Sequence, residues 1–238
     1  MSDTVIYKRI LLKLSGEALK GNQDGGVDPD ACASLARRIR DLHAMNIQVA
    51  VVIGGGNILR GATAKGIDRV TADNMGMLGT VINALALQAA LEALNVPVRV
   101  QSAIAMMQIC EPFIPRKAAG HLSRGRVVIF AAGMGSPFFT TDSTAALRAN
   151  EIGAECILKA TKVDGIYTAD PKKDANATRY KTITYQEALA KRLQVMDSTA
   201  FSLCMDNNIP IIVFDFANEE CLAQLVRGDF SAGTLVTA

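Results

Sequence analysis

Ile10-Leu11-Leu12-Lys13-Leu14-Ser15-Gly16 joins a short apolar run to a glycine turn, and this arrangement occurs twice more along the chain. The second copy leads from Gln48 to Gly54-Gly55-Gly56, and the third from Arg126 to Gly133-Met134-Gly135. Apolar runs of this length indicate strands buried on both faces of a parallel sheet. Glycine lets the backbone approach a bulky anion and point N–H groups at it. Three such turns predict a site that holds several phosphate groups, as phosphotransfer requires.

The segments between these turns alternate between helix and strand signals. Asp28-Pro29 is typical of a helix start, and that helix is expected to end near Met45. A long helix is predicted from about Thr71 to Leu94. Further strands are predicted at 96–101, 126–131, 156–159, 209–214 and, at a sheet edge, 233–236, with helices at 141–152, 198–207 and 218–227 and a capping box at Thr184 and Glu187. This alternation predicts a three-layer α/β/α sandwich with a mainly parallel central sheet.

Length and composition fit one soluble α/β domain spanning residues 1–238. Half of the 238 residues are hydrophobic and 20% are charged, which is ordinary for a globular protein. The net charge of +2 gives no support for an extended nucleic-acid surface or a membrane-binding field. The chain starts without a secretory signal, and no apolar run is expected to reach the roughly 18 residues that span a bilayer. We therefore expect a cytoplasmic protein.

The cysteines and two common nucleotide motifs exclude several site types. Five cysteines are widely spaced and form no CxxC pair, so we expect small buried thiols in a reducing compartment rather than disulfides or metal ligands. The sequence has no GxxxxGK[ST] motif, and Gly54-Gly55-Gly56-Asn57 does not continue as GxGxxG. Any nucleotide must therefore be held by another arrangement.

Three polar segments are candidates for the chemistry, each with a structural alternative. Lys13 interrupts an apolar strand, so it either meets an anion or is an edge lysine that reaches solvent. The run from Pro137 to Asp142 offers two rings, two hydroxyls and a carboxylate, or only a hydrophobic staple with Asp142 as N-cap. The run from Lys159 to Pro171 follows a buried strand and suits an ATP-binding loop or a solvated one.

These motifs together resemble the amino acid kinase superfamily. The resemblance rests on Lys8 to Glu17, on Val52 to Asn57 and on the run from Gly133 to Asp142. Within the superfamily, the segments at 73–77, 137–142 and 159–165 are similar to those of the bacterial uridylate (UMP) kinases, in order along essentially the whole chain. The resemblance implies transfer of the ATP γ-phosphoryl group to UMP, giving UDP and ADP, in the synthesis of pyrimidine nucleotides such as CTP.

The resemblance also assigns site residues by motif position. It implies catalytic roles for Lys13, Asp142 and Lys162, with Lys159 as an alternative to Lys162. Asp142 is expected to hold a lysine in position, and Asp197 is a candidate to share that task. It implies that ATP is bound by Lys13, Leu14, Ser15, Gly16, Gly56, Arg60, Thr161, Tyr167 and Asp170. It implies that UMP is bound by Gly55, Asp73, Met134, Gly135, Ser136, Pro137, Phe138, Phe139, Thr140 and Thr141. Asp73 could instead be only a helix cap. Mg²⁺ is expected to arrive with ATP and to have few protein ligands.

Assembly and regulation follow from the same resemblance. It implies a homohexamer built from dimers through the long helices, with GTP as activator and UTP as inhibitor. An effector-linked loop is expected at Gly21, Asn22, Gln23, Asp24, Gly25 and Gly26. The helix from Thr80 to Leu94 carries no basic residue, so a GTP site there would need phosphate partners from elsewhere. UTP can inhibit simply by occupying the UMP site.

Two other functions remain open from the sequence. Another kinase of the superfamily would phosphorylate a carboxylate or a carbamate, which the Pro137 to Asp142 run disfavours. A non-catalytic nucleotide sensor would keep the fold without turnover, which the presence of both Lys13 and Asp142 disfavours.

Overall fold

The computed structural model describes residues 4–59, 66–171, 173–174 and 176–238, and within them one nine-stranded sheet forms the centre of the molecule. The strands are β1 (Arg9–Leu14), β2 (Gln48–Ile53), β3 (Val98–Ser102), β4 (Glu111–Pro112), β5 (Val127–Ala131), β6 (Cys156–Thr161), β7 (Thr182–Thr184), β8 (Ile211–Asp215) and β9 (Gly233–Thr237). Their spatial order is β4-β3-β5-β2-β1-β6-β8-β9-β7. Neighbouring strands are parallel except β8 and β9.

Helices cover both faces of this sheet. They are α1 (Pro29–Ala44), α2 (Arg69–Glu92), α3 (Pro115–Ser123), α4 (Thr141–Ile152), α5 (Tyr185–Ala190), α6 (Ser198–Asp206) and α7 (Cys221–Val226). Side chains of a strand alternate between faces, and Leu12 and Leu14 of β1 join the core cluster formed with α1, α2 and α7. Leu11 joins the opposite cluster, formed with α3, α4, α5 and α6. The predicted three-layer α/β/α sandwich is confirmed.

The long, strongly patterned elements agree with the sequence prediction to within a few residues. The carboxylate of Asp28 accepts hydrogen bonds from the first turn of α1, and Thr184 and Glu187 form the predicted capping box of α5. The predicted edge position of the last strand is wrong, because β9 lies between β8 and β7. The edges are the short strands β4 and β7, which were not predicted, and α3 was also missed. The last helix was predicted to begin at Asn218, but α7 begins only at Cys221. Asn218 lies in the preceding turn, where its side chain accepts a hydrogen bond from the Glu220 N–H.

Helix α2 is more apolar than expected. An 18-residue window within it has a mean hydropathy of 1.3, so it is long and apolar enough to cross a membrane by length and composition alone. However, 44% of that window is buried inside the protein, and Ala84, Leu87 and Leu91 belong to the core beside the sheet. A core helix of a soluble protein has these properties too. The opposite face of α2 leaves Met75, Leu78 and Ile82 exposed.

Candidate active site

The predicted glycine turns lie along the carboxyl-terminal edge of the sheet, which is the side where its parallel strands end. Strands β5, β2, β1 and β6 are parallel neighbours in this order, so their carboxyl ends lie side by side. These ends lead into the turns at Gly133, at Gly54–Gly56 and at Ser15-Gly16, and into the loop after Thr161. Ligands of parallel sheets gather at this edge. The parallel strands therefore bring the candidate motifs together on one surface of the molecule.

A carboxylate between two lysines lies at this edge. Asp142 Oδ1 is 2.7 Å from Lys13 Nζ, and Asp142 Oδ2 is 2.7 Å from Lys159 Nζ. Lys159 also donates a hydrogen bond to the Val195 carbonyl at 2.7 Å. Asp142 is not the N-cap of α4, because the hydroxyl of Thr140 accepts the hydrogen bonds from the first backbone N–H groups of the helix. Lys13 does not reach solvent from an outermost strand, because β1 is in the middle of the sheet.

Burial and charge act in opposite directions on this cluster. Burial raises the pKa of Asp142, but the charges of Lys13 and Lys159 outweigh it and hold that pKa below its ordinary value. Burial also lowers the pKa of Lys159, and the positive charge of Lys13 acts in the same direction against the attraction of Asp142. Two cations thus share one anion, and the cluster carries a net positive charge when all three groups are ionised. Such a cluster attracts a phosphate group.

A cavity of about 410 Å³ lies on the β2 and β5 side of the cluster, within the usual size range of ligand sites. It lies between the start of α2 and the segment from Gly133 to Thr141. Of the residues predicted to bind UMP, those lining it are Gly55, Asp73, Ser136, Phe139, Thr140 and Thr141. Met134, Gly135, Pro137 and Phe138 belong to the same segment but do not line it. Gly56, predicted for ATP, and Arg69, which was not predicted, line this cavity too.

Asp73 is positioned to bind a polar group in this cavity. Its carboxylate contacts Arg69 Nε at 2.7 Å and accepts a hydrogen bond from the Phe138 N–H at 2.8 Å. Burial raises the pKa of Asp73, but these two partners outweigh it and hold the pKa below its ordinary value. Asp73 does not cap α2, because the Asp68 carboxylate accepts the hydrogen bond from the Thr71 N–H. Its side chain is therefore an acceptor at the cavity wall.

Two neighbouring cavities lie on the β6 side of the cluster. One, of about 590 Å³, is lined by the predicted residues Thr161, Tyr167 and Asp170, and also by Lys159. The other, of about 400 Å³, is lined by Ser15, Thr161 and Lys162. Thr161 lines both cavities, so the predicted ATP residues lie around two cavities that share this one residue. Leu14, also predicted for ATP, is fully buried, and its carbonyl accepts a hydrogen bond from the Gly54 N–H. Arg60, predicted for ATP as well, lies outside the described residues.

Lys159 and Lys162 have different environments. Lys162 pairs with Glu17 at 2.6 Å, and 80% of its side chain is exposed. Lys159 is largely buried against Asp142. The sequence named Lys159 only as an alternative to Lys162, and the structure places it in register with Lys13 on the adjacent parallel strand. Asp197 caps α6 and accepts hydrogen bonds from the hydroxyls of Ser143 and Thr140, which fixes the start of α4.

Close backbone packing joins the glycine turns to each other and to α2. A Cβ atom on Gly55 would lie 2.3 Å from the carbonyl oxygen of Gly76, and one on Gly16 would lie 2.5 Å from that of Gly54. The predicted effector-linked loop joins this packing at Gly26, whose N–H donates to the Asn57 carbonyl and whose carbonyl accepts from the Asn57 side chain. Glycine at 16 and 55 is therefore required by close contact.

The described residues include no cluster of three or more His, Cys, Asp or Glu side chains that could hold a metal ion. A magnesium ion carried by a nucleotide needs few protein ligands, because phosphate oxygens and water fill most of its six positions. Asp142 is paired with two lysines and Asp73 with Arg69, so these two carboxylates leave the ligands of such an ion mainly to the nucleotide and water.

The fold and this edge define a class of protein. The family model of the amino acid kinase family matches residues 8–215, and the chain belongs to that family. Within the family, it is similar to the solved UMP kinase from Bacillus anthracis, with 40% identity, a TM-score of 0.93 and coverage of 97% of this chain and 96% of that one. It is equally similar to the UMP kinase from Ureaplasma parvum, with 40% identity, a TM-score of 0.92 and coverage of 97% and 99%.

Proposed function

We propose that the protein is a UMP kinase that transfers the γ-phosphoryl group of ATP to UMP, giving UDP and ADP. The observation that supports this most directly is the cluster of Lys13, Asp142 and Lys159, which lies at the sheet edge with a nucleotide-sized cavity on each side. Two solved UMP kinases share the fold over almost their whole length. We treat the chain as one domain whose N-terminal part mainly binds the acceptor and whose C-terminal part mainly binds ATP.

The proposed chemistry is positioning and charge neutralisation. Phosphoryl transfer passes through a state with negative charge spread over the transferring oxygens, so fixed positive charges stabilise it. Lys13 is held for this task by Asp142. Lys159 stays at Asp142, while Lys162, which is exposed and near Thr161, can reach the phosphates of ATP by leaving Glu17. The UMP phosphate is already an ionised nucleophile at neutral pH, so the reaction needs no general base.

The acceptor and donor sites follow from the cavities. UMP would lie in the cavity lined by Gly55 and Asp73, with Asp73 accepting a hydrogen bond from the ribose and the 133–141 segment next to the base. ATP would lie beside Thr161, Tyr167 and Asp170. Magnesium, when bound with ATP, supplies further neutralisation of phosphate charge. Arg60 remains a proposed ATP ligand from its motif position.

The reaction would serve pyrimidine nucleotide synthesis in the cytoplasm. We propose a homohexamer with GTP as activator and UTP as inhibitor. The effector-linked loop at 21–26 would act on the phosphate-binding turn through the Gly26–Asn57 hydrogen bonds.

The test is ADP release with a panel of acceptors in the presence of Mg²⁺ and ATP. We expect turnover with UMP well above that with CMP, AMP, GMP or N-acetylglutamate. Preference for a carboxylate acceptor would make the protein another phosphotransferase of the superfamily. Tight ATP binding without turnover of any acceptor would make it a nucleotide sensor.

A further inference from the structure

We propose that Arg69 is a positioning residue for the acceptor, holding Asp73 and the Phe138 backbone in the geometry that binds UMP. The inference rests on the proposed function, because it takes the cavity beside α2 as the UMP site. It adds a residue that none of the sequence motifs singled out. Arg69 lines the cavity together with Asp73, at the point where α2 begins.

One carboxylate oxygen links the two walls of the cavity. Asp73 Oδ2 lies 2.7 Å from Arg69 Nε and accepts the Phe138 N–H at 2.8 Å. The guanidinium carbon of Arg69 lies 5.6 Å from the centroid of the Phe138 ring, within the range of a cation–π contact. Arg69 therefore contacts both partners of this hydrogen bond. Residues 69 and 138 are far apart in sequence, so this link fixes the acceptor segment to α2.

Helix stability does not explain the position of Arg69. It is the first residue of α2, where the positive end of the helix dipole disfavours a cation. A cation placed four residues before an anion is also the less favourable order for a helical ion pair. The helix is already capped by Asp68. The Arg69–Asp73 pair thus stabilises the helix little and is better explained by its contact with Phe138.

The Phe138 backbone has a conformation that needs support. Its φ is +71°, in the left-handed region that residues other than glycine rarely adopt. Its neighbour Phe139 and the nearby Ser136 line the cavity, so the conformation at 138 determines where they point. The hydrogen bond to Asp73 holds this conformation, and Arg69 in turn holds the carboxylate of Asp73 in place.

The test is steady-state kinetics on Arg69→Gln, with thermal unfolding measured on the same samples. We expect the KM for UMP to rise about tenfold while the KM for ATP and kcat stay within about twofold, because the lost contacts serve only acceptor binding. Arg69→Lys keeps the charge without the guanidinium geometry, and we expect an intermediate rise of about threefold. The control is Arg40→Gln, since Arg40 is similarly exposed and pairs with Asp41 on α1. It should match the wild type.

The Phe138→Gly variant separates positioning from a general structural effect. Glycine adopts positive φ freely, so in a Phe138→Gly background Arg69→Gln should raise the KM for UMP by less than about threefold. An equal tenfold rise in both backgrounds would overturn the role through Phe138. An unchanged KM for UMP in Arg69→Gln, with a wild type that phosphorylates UMP, would overturn this inference alone. A wild type without UMP turnover would overturn the proposed function as well.

Discussion

Among single residues, Lys13 has the most direct expected effect on the reaction. It lies on a central strand, is largely buried, and is held by Asp142 at 2.7 Å. We expect Lys13→Ala to lower kcat at least about 10²-fold, because it removes a preorganised charge that stabilises the transferring group. Coupled ADP release measures this loss. Lys117→Ala, which removes a more exposed lysine near the sheet edge strand β4, should leave kcat unchanged. Near wild-type turnover of Lys13→Ala would reject its catalytic role.

Asp142 gives a prediction for the dependence of stability on pH. Its pKa is lower in the folded protein than in the unfolded chain, so its contribution to stability is complete above the ordinary carboxyl pKa of about 3.9. Below that pH the unfolded chain takes up the proton first, and the contribution disappears as the pH falls through the lowered value. The free energy of unfolding should therefore fall more steeply with acidification in the wild type than in Asp142→Asn.

Urea unfolding at several pH values from 5 downwards measures this difference. Asp41→Asn, which changes an exposed carboxylate on α1, should keep the slope of the wild type. Identical slopes for the wild type and Asp142→Asn would show that the two lysines do not stabilise the ionised carboxylate.

Among secondary-structure elements, those with strong local signals could be predicted from sequence. Strand β2 is apolar after Gln48, β1 is apolar apart from Arg9 and Lys13, and α1 has both a cap and a proline at its start. Strands β4 and β7 have only two and three residues, too few to show a period of hydrophobicity. The position of β9 was misjudged because strand order depends on contacts between distant segments. The residues of β9 do not themselves determine that it pairs with β8 and β7.

The glycine turn after β2, at Gly54–Gly56, packs on α2, and this contact between two elements gives a prediction. Alanine at 55 would place its Cβ 2.3 Å from the backbone oxygen of Gly76, so the turn or the helix must move. Overpacking of this kind costs about 1–3 kcal/mol, or roughly 5 °C in Tm for a protein of this size. We expect Gly55→Ala to lower Tm by about that amount and to weaken UMP turnover. Differential scanning calorimetry measures the shift.

Gly76→Ala is the matched control on the other side of the same contact. A Cβ at 76 meets no atom within 4 Å, and alanine is favoured over glycine inside a helix by about 1 kcal/mol. Its Tm should equal or exceed that of the wild type. If both variants lowered Tm alike, the close contact at Gly55 would not be the cause.

For the whole molecule, the location of the site was predictable but several of its contacts were not. Parallel strands bring their carboxyl ends to one edge, and this rule placed Lys13, Gly55 and Thr161 together from sequence alone. The contacts of Lys159 with Val195 and of Asp73 with Phe138 join segments far apart in the chain. No local pattern reports such pairs, because they depend on how loops fold back over the sheet edge.

The exposed face of α2 gives the prediction for assembly. Met75, Leu78 and Ile82 lie on this face at helical spacing and are 40–51% exposed, and contiguous apolar surface of this kind marks interaction sites. We expect these faces to pair in the proposed homo-oligomer, with α2 against α2. A charge buried there without a partner is costly, so Ile82→Glu should shift the mass measured by size-exclusion chromatography with light scattering to a smaller species. Leu189→Glu, an equally exposed apolar residue on α5, should keep the wild-type mass. A wild-type mass for Ile82→Glu would exclude α2 as the dimer contact.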